Sequence, residues 1–384
     1  MKHHIFAVSQ TGSGHLLTGP ERSFAPGQDA YKVLSVPNQE YKAWNSQMEC
    51  HILAVADGHG NPTRHGSSEF GSKFAVEAAV ETMLQLAQAY EESSDPEVFC
   101  FFPEKVTKLW QEKVLAHAKT RFPEQDLRKR FKKEAEYLAY ENKILTSYGS
   151  TLLAVTAIPE KKLLVSAQIG DGEIVFLAKN ARDPYPVKLV RGNKRHVYGG
   201  NVTDSLCNSD AIQRFELSIL DGKEDEEAGV WLEKYVVMAA TDGISSGALS
   251  ERKFMEDYCA PRMQAYMDAE DDSARRWVRE SIEGEMLEEM PLYSMDDMTV
   301  VMLNVECENA VKARPKRLLG KVLQDNPGTA PQKEPQETKD TAPEFCETSS
   351  YDKLLTKIML NGVELRSSAD QFEGWYEDEE PYKD

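Results

Sequence analysis

The chain has 384 residues, 41% hydrophobic and 28% charged, with 64 Asp and Glu against 45 Lys and Arg and a formal net charge of -19. That length suits one large domain with appendages or two ordinary domains, and the composition suits a globular protein with a real core. The acidity excludes long nucleic acids as the main partner, because a phosphate backbone needs a basic footprint. No run of about 18 apolar residues speaks for a membrane span.

The opening MKHHIFAVS lacks a charged segment followed by an apolar one, so it reads as a first strand and not a signal peptide. HILAVA (51–56) is the next strand, apolar, rich in β-branched residues and bounded by Asp-Gly. Two helices follow. Phe70, Phe74 and Ala78 recur at intervals of four, and Val106, Leu109, Trp110, Val114 and His117 mark one face of the second. His117 on that face is expected to be a packed side chain, not a ligand. Strands then come in a group at 150–158, 162–169, 173–178 and 234–241. A third helical stretch covers about 250–286, with Phe254, Tyr258, Trp277 and Ile282 as core candidates, and MTVVMLNV (298–305) is the last strand. Strands that are not separated by single helices favour an α+β sandwich over a doubly wound sheet.

Composition shifts after Glu308. Lys312, Arg314, Lys316, Arg317 and Lys321 form a basic patch, and 325–344 is rich in Pro, Gly, Thr and charge. The expected organisation is a domain over 1–308, a flexible linker over 309–349 and a short C-terminal segment over 350–384. In that segment Leu354, Leu355, Ile358 and Met359 have the spacing of a short amphipathic helix, before an acidic end. It reads either as a loosely ordered tail or as a docking segment for a partner or for the chain's own core. The six cysteines are scattered singly and the eight histidines show no HExxH or other metal spacing. Incidental thiols of this kind point to a reducing compartment, and cytoplasmic localisation is the expectation.

Four stretches share one design. Apolar strands run into Asp57-Gly58, Asp171-Gly172 and Asp242-Gly243, while Asp296 and Asp297 stand just before a strand. A carboxylate there sits on rigid backbone, and the glycine lets the chain turn and brings a bare carbonyl close. Any one Asp-Gly is an ordinary turn. Several such ends at one edge of a sandwich would repel one another unless hard divalent cations, Mg²⁺ or Mn²⁺, occupied the site.

VADGHGN (55–61), YGSTLLAV (148–155), QIGDGEIVFL (168–177), ATDGISSGAL (240–249) and MDDMTVVML (295–303) occur in the order and spacing of the type 2C metal-dependent serine/threonine phosphatases, the PPM family. The segment ending GQDAY (27–31) resembles the first motif of the bacterial branch. The resemblance spans roughly residues 5–306. It implies two packed antiparallel β-sheets flanked by helices, with two divalent metals bridged by a water at one edge. By the same resemblance Asp57 is the bridging ligand and the Gly58 carbonyl a ligand of one metal. Asp242 and Asp296 hold the other metal, Asp171 goes with a third and weaker one, and Asp29 acts in the metal shell, through water. His59, which by itself reads equally as an acid or a structural turn residue, matches the family's general acid. Arg22 is the nearest candidate for the phosphate-binding arginine, although an exposed loop arginine fits as well.

The sequence departs from the family pattern at Gln28, where many relatives carry glutamate, at Asp297 in place of asparagine, and at GDGE in place of GDS. In GGNVTDSL (199–206), Asn201 and Asp204 either line the cleft or belong to a capped turn. The resemblance implies hydrolysis of phosphoserine and phosphothreonine in proteins by a metal-activated water, without a phosphoenzyme. A cognate Ser/Thr kinase is a candidate partner. A catalytically weak or inactive phosphatase-fold scaffold or binding protein and a two-metal hydrolase of small phosphate esters are the alternatives.

Overall fold

The computed structural model describes residues 2–12, 27–37, 44, 48–59, 67–121, 133–181, 185–190, 195–197, 200–246, 248, 250–290 and 294–307. The chain divides into two compact units, Met1–Lys316 and Arg317–Asp384, and every described residue belongs to the first. The linker, with its basic patch, and the 350–384 segment lie outside the described residues.

Among the described residues twelve strands run in chain order: β1 (Lys2–Gln10), β2 (Ala30–Val36), β3 (Cys50–Ala56), β4 (Leu152–Ile158), β5 (Leu163–Ile169), β6 (Glu173–Ala178), β7 (Val187–Lys188), β8 (Arg195–Val197), β9 (Gly200–Val202), β10 (Glu216–Asp221), β11 (Lys234–Ala240) and β12 (Met298–Glu306). One sheet has the order β1-β12-β11-β6-β7, a second β10-β5-β4-β3-β2, and β8-β9 is a separate hairpin. The pairings are antiparallel throughout. The main helices are α1 (Ser68–Ser93), α2 (Phe102–Arg121), α3 (Glu134–Ser147), α4 (Ala260–Asp268) and α5 (Asp272–Glu288).

The layers explain why the central strands read as unbroken apolar runs. Every residue of β3, β4, β5 and β6 is buried, because each sheet has the other sheet on one face and helices on the opposite face. Ile52 and Ala54 pack with Ala75, Ala79 and Met83 of α1 and, farther out, Trp110 of α2. On the other side Val236 and Met238 pack with Met263 of α4 and Ile282 of α5. The small residues of α1 let it lie close to the sheet. The Trp110 indole donates to the Gly71 carbonyl at 3.0 Å and fixes α2 against it. His117 is packed as expected: its ring sits 4.4 Å from that of Phe70, and Nδ1 is 2.9 Å from the Tyr148 hydroxyl.

Three features differ from the sequence reading. The edge strands β2 and β10 alternate between buried and less buried positions, so they lack the continuous apolar runs of the centre. The stretch 250–286 is not one helix; a π-helical turn at Phe254–Cys259 leads into α4, and Asp271 caps α5 by accepting from the Ala274 N–H at 2.8 Å. Trp277 is not in the core. It is 65% exposed, because Val278, Ile282 and Met286, spaced by four, form the buried stripe of α5 and Trp277 stands one residue off it.

Candidate active site

Antiparallel register brings the aspartates to one edge of the sandwich. Ala30 opposes Ala56 in the β2-β3 pair, so Asp29, just before β2, lies beside Asp57, just after β3. Ala240 opposes Val300 in the β11-β12 pair, which sets Asp242 next to the segment carrying Asp296. Leu152 opposes Ile169, so the turn holding Asp171 follows β5 at the same edge where β4 begins. The carboxylates of Asp29, Asp242, Asp296 and Asp171 all act electrostatically on Asp57. Five of the sequence candidates therefore share one locus.

Close backbone approach holds this edge together. A β-carbon on Gly58 would come within 2.4 Å of the Ser68 carbonyl oxygen, and one on Gly243 within 1.9 Å of the Asp297 carbonyl oxygen. Only glycine lets these loops pass so near their neighbours. The Gly58 N–H donates to the Gln28 carbonyl at 3.1 Å, and the Gln28 side chain donates to the Ser68 hydroxyl, which ties the first-motif segment to the Asp57 turn and to the start of α1. Thr151 braces the same turn: its hydroxyl accepts from the Asp57 N–H at 2.9 Å, and its own N–H donates to the Asp57 carbonyl at 2.9 Å. Thr241 donates to Asp29 Oδ2 at 2.8 Å while accepting from the Thr299 N–H at 2.9 Å. Thr203 donates to Asp171 Oδ2 at 2.6 Å.

Asp297 matters more here than its place as a family departure suggests. It is buried, and its carboxylate accepts from the backbone N–H groups of Gly12 at 2.7 Å, of Gln28, and of Asp29 at 3.3 Å. It thus anchors the chain entering β2 and the chain leaving β1 beside Asp296, whose Oδ1 accepts from the Asp297 N–H at 3.0 Å. The Asp-Asp pair was visible in the sequence; the division of labour between its members was not.

His59 follows Gly58 and packs with its ring against Gly149, where a β-carbon would stand 2.6 Å from His59 Cε1. Its Nε2 is buried and has no hydrogen-bond partner among the described residues. Burial lowers its pKa, and the Asp171 carboxylate opposes that shift. Asp204 is buried and ion-paired with Arg214, which also holds Asp210 at 2.6 Å, so Asp204 anchors a turn and does not face an open cleft. The Asn201 side chain and Arg22 lie outside the described residues.

The electrostatics fit a cation site. Burial first, then Asp29, Asp242, Asp296 and Asp171 in turn, drive the Asp57 pKa well above the ordinary carboxylate range. Burial likewise raises Asp29, with Asp297 and Asp296 adding to it and hydrogen bonds from Thr241 and Thr299 opposing it. Asp29 Oδ1 is buried without a hydrogen-bond partner among the described residues. Crowded carboxylates in this state are satisfied by divalent cations. Carboxylate and carbonyl oxygens are the donor set that Mg²⁺ and Mn²⁺ take.

Residues 28–283 match the family model described as protein phosphatase 2C. The match takes in Asp29, Asp57, Asp171 and Asp242 and stops short of Asp296. Comparison with curated proteins finds no significant match. Among solved structures, PppA, a regulatory component of the type VI secretion system in Pseudomonas aeruginosa, is 13% identical over 79% of this chain and 97% of its own, with a TM-score of 0.43. The Mycobacterium tuberculosis serine/threonine phosphatase PstP/Ppp is 14% identical over 79% of this chain and 99% of its own, also at a TM-score of 0.43. A PstP catalytic domain solved with two manganese ions is 14% identical over 79% of this chain and 98% of its own, at 0.41.

Proposed function

This chain belongs to the protein phosphatase 2C family, and from that premise we propose that it hydrolyses phosphoserine and phosphothreonine in proteins with two divalent cations, Mg²⁺ or Mn²⁺. The single observation that supports the reading best is the convergence of Asp29, Asp57, Asp171, Asp242 and Asp296 at one buried sheet edge. Asp57 and the Gly58 carbonyl would hold one cation, and Asp57 with Asp242 and Asp296 the other. Asp171 is the candidate for a third, and Asp29 would act through water. Bound there, divalent cations lower the pKa of water and neutralise charge on the phosphoryl oxygens.

The chain's own residues supply the rest. Thr151, Thr241 and Asp297 fix the carboxylates on rigid backbone, so little reorganisation accompanies the reaction. His59, with its free buried Nε2, would donate a proton to the departing serine or threonine oxygen. Burial lowers its pKa and the Asp171 carboxylate opposes that shift; an arriving phosphate dianion would add to the opposing side and favour the protonated form that an acid requires. A covalent route through the neighbouring Cys207 is disfavoured, because burial raises its pKa and leaves a thiol. Arg22 remains the proposed phosphate-binding cation.

Among the described residues no helix is long and apolar enough to cross a membrane. The unpaired Cys50, Cys100, Cys207, Cys259 and Cys307 suit a reducing compartment, which supports a cytoplasmic enzyme. Its substrates would be products of a Ser/Thr kinase, and the segment 350–384 would dock a partner. The test is hydrolysis of p-nitrophenyl phosphate and of a phosphopeptide by the purified full chain with Mn²⁺. Turnover of the phosphopeptide supports the proposal, and failure with both substrates sinks it.

A further inference from the structure

The edge opposite the aspartates carries a second constellation. His3 lies near the start of β1, His51 near the start of β3, and Glu49 just before β3. Glu49 and His51 are two residues apart and so point to the same side of the chain. His3 comes from the other sheet, and its ring centroid is 3.9 Å from that of His51. One ring nitrogen of each histidine and one carboxylate oxygen of Glu49 all lie within 4.8 Å of one another.

Two of these three groups are left unsatisfied. Both His51 Nε2 and Glu49 Oε2 are buried without a hydrogen-bond partner among the described residues. An unpaired buried carboxylate oxygen is costly and calls for a counter-charge. The other nitrogen of His51 is already engaged: Nδ1 lies 3.0 Å from the Ser35 hydroxyl on β2. A tautomer with Nδ1–H donating to Ser35 leaves the Nε2 lone pair available to an ion. That is the arrangement in which a ligating histidine is oriented by a second hydrogen bond. His51 is fully buried and held neutral, the protonation state a ligand requires.

We propose that His3, Glu49 and His51 bind one Zn²⁺-class ion, which links the two sheets at the edge remote from the phosphatase site. Two imidazoles and a carboxylate form a nitrogen-rich set that suits Zn²⁺, Co²⁺ or Ni²⁺ and not Mg²⁺. Ligands on such an ion stand about 3.3 Å apart, as ~2.0–2.1 Å bonds in a tetrahedron require. The present spacing, within 4.8 Å, has to close toward that value on binding. Five residues of extended strand, six rises or roughly 20 Å, separate His51 from Asp57, so the two sites do not share ligands.

Cobalt reports the site directly. The untagged full chain is saturated with Mg²⁺ to fill the oxygen-rich edge and then titrated with Co²⁺. We expect the intense visible d–d bands of a low-coordinate, nitrogen-ligated ion, saturating at one equivalent. His3→Ala and Glu49→Gln lose those bands, while Asp242→Asn retains them. His4→Ala retains them too, because His4 points to the opposite face of β1. Zn²⁺ raises the melting temperature of the wild type but not of His3→Ala. Because His3 is only half-buried, that variant folds even if His51→Ala does not, and its Mg²⁺-dependent phosphatase activity stays at the wild-type level. Absence of the bands in the wild type overturns the proposal, as does their survival in both His3→Ala and Glu49→Gln.

Discussion

Strand β3 begins and ends in two different chemistries. At its end, Asp57 stands among four other carboxylates that push its pKa up. At its start, burial and the neighbouring His3 push the His51 pKa down to about 3. The strand between them is apolar and buried throughout. Desolvation penalises the charged form at both ends, so burial alone does not distinguish them. Register makes the difference: it gathers hard, like-charged oxygens at one edge and imidazole nitrogens with a single carboxylate at the other. Each edge therefore answers differently to the same perturbations.

The largest expected effect is at the aspartate end. Asp57→Asn or Asp242→Asn should lower phosphatase turnover by at least about a thousandfold, since each would remove a proposed cation ligand and its charge. In protein stripped of divalent ions, however, Asp57→Asn should stabilise the fold by roughly 1 kcal/mol, because it relieves a carboxylate that its neighbours oppose. Denaturant melts in a chelator check this. A variant that loses activity and also melts earlier without metal would show that the carboxylates do not strain one another, and the contrast between the ends would fail.

His59 sharpens the comparison within the active edge. Its replacement by alanine should cost about a hundredfold on a phosphoserine peptide, whose alkoxide leaves poorly without a proton. On p-nitrophenyl phosphate, whose leaving group needs no acid, the loss should be small. Equal losses on both substrates would assign His59 a structural part. A smaller effect, about tenfold on activity, is expected for Asp297→Ala, which frees the N–H groups of Gly12, Gln28 and Asp29 and loosens the first motif. Asp297→Asn keeps an acceptor and should lose less.

Much of the active edge was legible because Asp57, Asp171 and Asp242 follow the central strands β3, β5 and β11. Those strands are buried on both faces and show as apolar runs, and an Asp-Gly at the end of each is easy to see. The edge strands β2 and β10 alternate and were missed for that reason. Trp277 was misplaced because one position on a helix rotates a side chain by 100°, and local spacing near 277 did not fix which stripe faced the sheet. Asp297 and Thr241 act through backbone contacts between segments far apart in sequence, which no local pattern records. The same holds at the other edge: Glu49 and His51 show a two-residue spacing, but His3 joins them only through packing of one sheet on the other. A search for paired histidines along the chain could not find it.

The histidine end gives the last prediction, in metal-free protein. The unfolded chain binds a proton at His51 near its ordinary pKa, while the folded chain resists until about 3. Its contribution to stability is therefore fully present above about pH 6.5 and is lost as the pH falls from there toward 3. The slope approaches about 1.4 kcal/mol per pH unit in the middle of that window. His51→Gln, which does not titrate, should flatten the acid limb of the stability curve between pH 6 and pH 4 (roughly the span accessible before general acid unfolding), whatever its effect at neutral pH. An acid limb of the same slope in the variant would mean that other groups carry the acid sensitivity. In that case His51 is not held neutral by the packing of the two sheets, and the start of β3 is not the counterpart of its end.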